Sequence, residues 1–136
     1  MTASQCNTET VRMAPVMLQA IIEKVADTRV TVVDGQLFGI TPRGPHGTVP
    51  LDWRIDHNAL DWQTIEIPRP VATGLLKFCD RMGLRFIACD FSIDRNGTWW
   101  WLGDANPVGQ WAWRHPLVDQ LTSAIADALT GEAPPL

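Results

Sequence analysis

Residues 90–113 read DFSIDRNGTWWWLGDANPVGQWAW, and the way this stretch doubles back decides how the chain is read. Its middle, Asp94-Arg95-Asn96-Gly97, is a turn signal, because Asn and Gly accept the positive φ that a tight hairpin requires. Residues 84–93 before it are rich in strand formers, and residues 98–102 after it hold three consecutive tryptophans. Two strands joined by a two-residue turn at Asn96-Gly97 are therefore expected. Side chains on a strand alternate faces, so Phe86, Ala88 and Asp90 share one face, as do Trp100, Leu102, Asp104 and Asn106. In that register Asp90 stands opposite Gly103, beside Asp104, and three oxygen-bearing side chains converge: Asp90, Asp104 and Asn106. Two carboxylates at such range repel, and one is pushed toward protonation unless a cation sits between them. Mg2+ suits the arrangement, since it takes one or two carboxylates plus substrate phosphates and keeps several waters. The competing reading is that Asp104-Ala105-Asn106-Pro107 only ends a strand and that Asp90 is a strand-edge acid, because Asp and Asn before Pro are common loop punctuation. Spacing alone leaves both open.

Upstream, residues 71–82 read as a helix. Val71, Leu75, Cys79 and Met82 recur at helical spacing, with Leu76 and Phe78 widening the stripe; Pro70 suits the first turn and Gly83 the C-terminal cap. Residues 58–67 alternate weakly as a further strand or extended segment, ended by Pro68 and Pro70. Residues 51–55 (LDWRI) bring Asp52, Trp53 and Arg54 together; composition alone reads them as a surface ion pair with Trp53 covering the core. Residues 41–50, rich in Pro and Gly, are expected to be a loop. A second hairpin spans residues 29–40, RVTVV and QLFGI around Asp34-Gly35. Arg29 opens it, either solvated or aimed into a site, and the solvated reading is the common one. Residues 23–28 read as a charged connection and residues 15–22 (PVMLQAII) as a strand-like or extended apolar run. Downstream, Pro116 opens a last helix over residues 117–129, with Leu117, Leu121, Ala124, Ile125 and Ala128 as its apolar stripe and Gly131 as its stop.

A chain of 136 residues suits one domain with a modest core. The net charge of −4, with acidic and basic residues interspersed, argues against a nucleic-acid or anionic-membrane surface while leaving room for a local phosphate pocket. Cys6, Cys79 and Cys89 show no metal spacing; the last two lie in apolar segments and read as buried thiols, which fits a reducing cytoplasm. No apolar run is long enough to cross a bilayer, and no signal-peptide pattern opens the chain. Residues 1–14 are expected to be a flexible leader, residues 15–130 one α+β unit and residues 131–136 a loose tail.

The ordered set LQAIIEK, DTRVTVV-DG-QLFGI, DWR, a helix ending in MGL, RFIACDFSID, TWWWLGDANP and GQWAW resembles the C-terminal part of ATP-grasp ligases. Within these it is most similar to the ATP-grasp maturases of ribosomally made peptides, the microviridin or graspetide type. The resemblance runs from about Pro15 to Leu129. It implies an antiparallel β-sheet covered by two main helices, ATP and Mg2+ as cofactors, and a ribosomal precursor peptide as partner. Side-chain carboxylates of that peptide would be activated as acyl-phosphates for ester or amide formation. Position by position, Asp90 matches the family's first metal carboxylate, and Asp104 and Asn106 match its Glu-x-Asn pair. Arg29 and Arg54 match arginines that lie over the phosphates, where a planar fork suits phosphate oxygens. Gln19, Ala20, Ile21 and Ile22 match the hinge that holds the adenine.

Two departures stand out. The metal Glu is Asp104 here, one methylene shorter. The sequence also corresponds to the later part of the fold, without the phosphate-clamping lysines and glycine-rich flap of the N-terminal half; Lys24 and Lys77 are its only lysines. An N-terminal ATP-grasp half or a second copy of the chain is then an expected partner. Two other readings compete: a Trp-rich binding module with a structural cation site, and a non-catalytic remnant. For the tryptophan run itself, the plain expectation is that alternate rings fill the core on both faces of a covered strand.

Overall fold

The structure, a computed structural model, describes residues 20–54 and 59–131. Its elements in chain order are β1 (Lys24–Val33), β2 (Gln36–Arg43), β3 (Asp61–Thr64), α1 (Arg69–Met82), β4 (Phe86–Asp94), β5 (Trp99–Asn106) and α2 (Val118–Thr130). The strands form one antiparallel sheet in the order β3-β2-β1-β4-β5. This is the expected α+β architecture, a sheet covered by two helices.

The hairpin at Asp34-Gly35 folds as the sequence indicates: Val33 pairs with Gln36, and both turn residues take positive φ (43° and 80°). The strands run longer than expected. β1 begins at Lys24, so residues 23–28 are not merely a connection. Asp27 and Thr28 are buried there because partners distant in sequence satisfy them: Ser92 Oγ donates to Asp27 at 2.7 Å, and Thr28 Oγ1 donates to the Ile40 carbonyl at 2.8 Å. β2 likewise continues through Thr41 and Pro42 into the expected loop. Thr41 Oγ1 donates to the Asp27 carbonyl (2.7 Å), and Pro42 sits opposite Trp62 on β3.

The central strands β1 and β4 divide the core between the two sheet faces. Val30 and Val32 of β1 and Ile87, Cys89 and Phe91 of β4 pack against Leu75 and Cys79 of α1. Met82 and Leu76, counted in the α1 stripe from spacing, lie toward solvent instead. Gly83 caps the helix with φ 62°, a left-handed conformation that glycine adopts without steric cost, and Leu84 N–H donates back to the Cys79 carbonyl (2.9 Å). On the opposite face, Val33 packs against Leu121 and Ala124 of α2. Farther along that face, Ile40, Trp53 and Trp62 form a third cluster, with Trp113 and Leu117 packed on it. The two helices thus leave one end of the second face to be closed by tryptophans.

The expected use of the 99–101 run as core is only partly met. Trp99 packs against Phe91 (5.7 Å between ring centroids), whereas Trp100 and Trp101 remain about half exposed, at 48% and 51%. β5 is an edge strand, so neither of its faces is fully covered. Among the described residues no helix is long and apolar enough to cross a membrane.

Candidate functional site

The tryptophan-closed end of the second face surrounds a buried ion pair. Arg29 on β1 lies directly across from Asp90 on β4, and both point to the face away from α1. Arg29 Nε donates to one Asp90 carboxylate oxygen at 2.8 Å and Nη2 to the other at 3.0 Å. This two-pronged geometry is the strong form of the arginine–carboxylate bond. Arg29 is 9% exposed and Asp90 3%, so the solvated reading of Arg29 is overturned. The guanidinium carbon lies 4.9 Å from the Trp53 ring centroid and 5.5 Å from that of Trp113, and Nη1 donates to the Gln110 carbonyl at 3.3 Å. The DWR and GQWAW segments, 60 residues apart in the chain, meet on this one cation. The sequence reading gave Trp53 only a core-covering role and Trp113 none, so their meeting on Arg29 went unread.

Arg54 behaves differently. Its Nε donates to Asp52 at 3.0 Å, it is largely exposed, and its guanidinium lies 5.8 Å from the Trp53 ring centroid. This is the surface ion pair that composition suggested, with Trp53 buried beneath it. The Asp52 bond holds the Arg54 guanidinium above its ordinary pKa, and the charges of Asp90 and Asp104 add to that effect. Arg54 therefore sits in the field of both carboxylates.

The β4–β5 pairing sets the remaining donors. The hairpin loop is one residue longer than the expected two: Asp94 N–H donates to the Thr98 carbonyl (3.1 Å), and Asp94 Oδ1 accepts from the Asn96 and Thr98 amides. Phe91 then pairs with Trp101, but Cys89 pairs with Ala105. Two extra residues of β5 are accommodated opposite Asp90, in a bulge centred on Gly103 at φ 82°. The longer loop and the bulge offset each other, and Asp90 still faces Leu102–Asp104. Asn106 pairs with Ala88, on the Asp90 face, while Ala105 packs against the α1 cluster. By alternation Asp104 falls on the Asp90 side.

The three donors differ in how far they are engaged. Asp90 is gripped by Arg29. Asn106 Oδ1 accepts from the Val108 amide (3.0 Å), as a strand-ending turn would have it. The Asp104 carboxylate is exposed and meets no hydrogen-bond or salt-bridge partner among the described residues. Two carboxylates and an amide form an all-oxygen set, which fits a hard cation such as Mg2+. A carboxylate has about four acceptor positions, so Arg29 leaves Asp90 capacity for a metal. Among the described residues no three His, Cys, Asp or Glu side chains come together, so water or phosphate oxygens would complete the coordination.

Farther toward the hairpin, the same face carries an open, largely apolar cavity of about 500 Å³. Ala20, Ile21, Ile22, Lys24, Val49, Pro50, Leu51, Ser92 and Leu102 line it. Three of the four hinge positions singled out in the sequence are among these; Gln19 lies outside the described residues. Lys24 ties this cavity together: its Nζ donates to Asp27 at 2.5 Å and to the Leu51 carbonyl at 2.8 Å. Sequence reading missed the Lys24–Asp27–Ser92 set, because Lys24 and Asp27 were placed in a connection and Ser92 lies 65 residues from Asp27.

No protein-family model matches the sequence, and no curated protein is significantly similar to it. Its fold does match solved structures. The RiPP-associated ATP-grasp ligase of Chryseobacterium gregarium, in complex with ADP and a leader and core peptide, superimposes over 86% of this chain with a TM-score of 0.74 and 23% identity. The macrocyclase MdnB from Microcystis aeruginosa MRC matches over 95% of the chain (TM-score 0.62, 26% identity). The ATP-grasp ligase PsnB, complexed with a phosphomimetic variant of its minimal precursor, Mg and ADP, matches over 94% (TM-score 0.66, 20% identity). This chain spans 36%, 45% and 42% of those three, respectively. The resemblance of the sequence to peptide-modifying ATP-grasp ligases thus extends to the fold.

Proposed function

We propose that this chain forms the ATP- and Mg2+-binding half of an ATP-grasp ligase that activates side-chain carboxylates of a ribosomal precursor peptide. One observation carries the reading. Ser92 and Leu102 form a wall of the apolar cavity, and one same-face step along the same two strands stand Asp90 and Asp104. Such a step is roughly 7 Å. A pocket suited to a flat base therefore lies beside an oxygen-rich site, the order in which a nucleotide presents its base and its phosphates.

In this reading Ala20, Ile21 and Ile22 hold the adenine, Gln19 preceding them, and Leu51 and Leu102 supply apolar walls. Asp90, Asp104 and Asn106 hold Mg2+, which when bound neutralises triphosphate charge. Arg54, exposed and in the field of both carboxylates, meets phosphate oxygens. Arg29 fixes the orientation of Asp90 and adds positive charge at the phosphate end. In the overall reaction a peptide carboxylate oxygen takes the γ-phosphoryl group and ADP leaves. A hydroxyl or amine then displaces phosphate, leaving an ester or amide. The facing wall of the cleft would come from an N-terminal ATP-grasp half or from a second copy of this chain.

The test is nucleotide titration followed by tryptophan fluorescence and calorimetry, on the chain alone and with a candidate N-terminal half. Saturable MgADP or MgATP binding that weakens without Mg2+ is expected. No response in either setting sinks the reading. The half-exposed Trp100 and Trp101 favour one alternative, a stacking module: sugar or peptide binding that needs no nucleotide and is indifferent to Asp104→Asn would select it.

A further inference from the structure

His115 lies outside every role assigned above, yet the segment that covers Arg29 hangs on it. It is 7% exposed. Its Nε2 faces the Trp111 carbonyl at 3.1 Å, and its Nδ1 accepts from the Leu117 amide at 3.2 Å. A single neutral tautomer, with the proton on Nε2, satisfies both contacts. The ring also packs on Trp113, 5.4 Å between centroids. His115 thereby closes residues 111–117 into one rigid unit and joins it to the entrance of α2, where Leu121 N–H donates to the Leu117 carbonyl (2.9 Å). The same unit presents Trp113 to the Arg29 guanidinium, and its neighbour Gln110 presents a carbonyl to Arg29 Nη1.

We propose that His115 is a positioning residue whose neutral imidazole holds the Gln110–Trp113 cover on Arg29, and whose protonation loosens that cover and the grip of Arg29 on Asp90. A proton added at Nδ1 would point at the Leu117 amide, donor against donor, and the staple between Trp111 and Leu117 would lose one end. Burial holds the imidazole below its ordinary pKa of 6.5, in keeping with a neutral ring. The sign follows: the unfolded chain takes up this proton first, so the stabilisation is complete above the ordinary value and is lost as pH falls toward the folded one. Among the described residues, the charged groups around it are Asp61 on β3 and its neighbour Arg114, which share a cavity of about 710 Å³ with it, and Arg29 against the Trp113 ring. The positioning itself does not need the nucleotide reading; its consequence for ligation does.

The experiment is NMR on the full chain without nucleotide. The His115 ring is titrated from pH 7.5 to 5, and at each pH the protection factor of the Arg29 Nε–H is measured. The expected result is a drop of at least tenfold in protection, with the same midpoint as the His115 titration. That dependence is expected to vanish in His115→Gln and His115→Asn, which cannot take up the proton. Arg29 protection that stays constant while His115 titrates overturns the proposal, as does a pH dependence that persists in either variant. Should neither variant fold, agreement or mismatch of the two wild-type midpoints decides. Because Arg29 is observed directly, failure here is distinct from failure to bind MgATP.

Discussion

Arg29 stands opposite Asp90 across the two central strands and holds both of its carboxylate oxygens, at 2.8 and 3.0 Å. The positive charge nearest the first acid of the candidate metal site is thus a protein side chain. That arrangement separates the roles of the two carboxylates. Asp90 is oriented and charge-compensated by Arg29, whereas the Asp104 carboxylate is exposed and, among the described residues, meets no hydrogen-bond or salt-bridge partner.

Breaking the pair from one side should be severe. Asp90→Asn leaves a buried guanidinium without its counter-charge, which costs about 3–5 kcal/mol in comparable pairs. Arg29→Met does the reverse and should cost a similar amount. The double variant should cost clearly less than the sum, because neither charge is then stranded. Urea denaturation of the four proteins measures the coupling; additive losses would mean that the pair contributes little beyond packing.

Asp104→Asn should do the opposite. An exposed carboxylate away from other constraints changes stability by about 0.5 kcal/mol or less. Losing one of two carboxylates should nevertheless weaken Mg2+-dependent nucleotide binding, and a tenfold loss corresponds to about 1.4 kcal/mol. Calorimetry with MgADP checks this, with the melting temperature as the control. An unchanged affinity would remove Asp104 from the metal site.

These contrasts also show how much of the site was legible in sequence. Alternation placed Asp90, Asp104 and Asn106 on one face, and the fold agrees for Asn106 through its pairing with Ala88. The route differed. Asp94 closes the turn with its own side chain and lengthens the loop, and a bulge at Gly103 returns the lost register. Neither device has a period that a strand pattern can reveal. The start of β1 was hidden for another reason: a charged run looks like a connection until a distant Ser92 and a neighbouring Lys24 are seen to satisfy Asp27. Composition alone read Arg29 as solvent-facing, because its partner lies 61 residues away; only the family resemblance set it in a site.

Cys79 and Cys89 should resist alkylation in the native protein. Burial pushes the Cys89 thiol up to about 12, with Cys79, Asp90 and Asp104 nearby adding to the effect, and burial raises Cys79 as well. The thiolate is the reactive form, so at pH 8 Cys89 should react roughly a thousandfold slower than a free cysteine. Mass spectrometry after iodoacetamide treatment, with and without denaturant, checks this. Fast native labelling of Cys89 would mean that the core beneath Asp90 opens readily.

The glycine that begins GQWAW should be intolerant of even one methyl group. A Cβ added at Gly109 would lie 2.6 Å from the Ala88 Cβ, and backbone strain is not the issue because Gly109 does not take a positive φ. Overpacking of this kind costs about 1–3 kcal/mol. Relief by shifting the backbone would carry the adjacent Gln110 carbonyl away from Arg29, so Gly109→Ala should lower both stability and Arg29 protection. Ala88→Gly removes the opposing methyl. It should cost about 1 kcal/mol by itself, since glycine in a strand interior packs nothing and is entropically unfavourable. Combined with Gly109→Ala it should restore part of what that variant loses, so that the double variant is more stable than the sum of the single changes predicts. Denaturation curves for the two single variants and the double decide the matter. Strict additivity would show that the close approach of Gly109 to Ala88 is not what requires a glycine there.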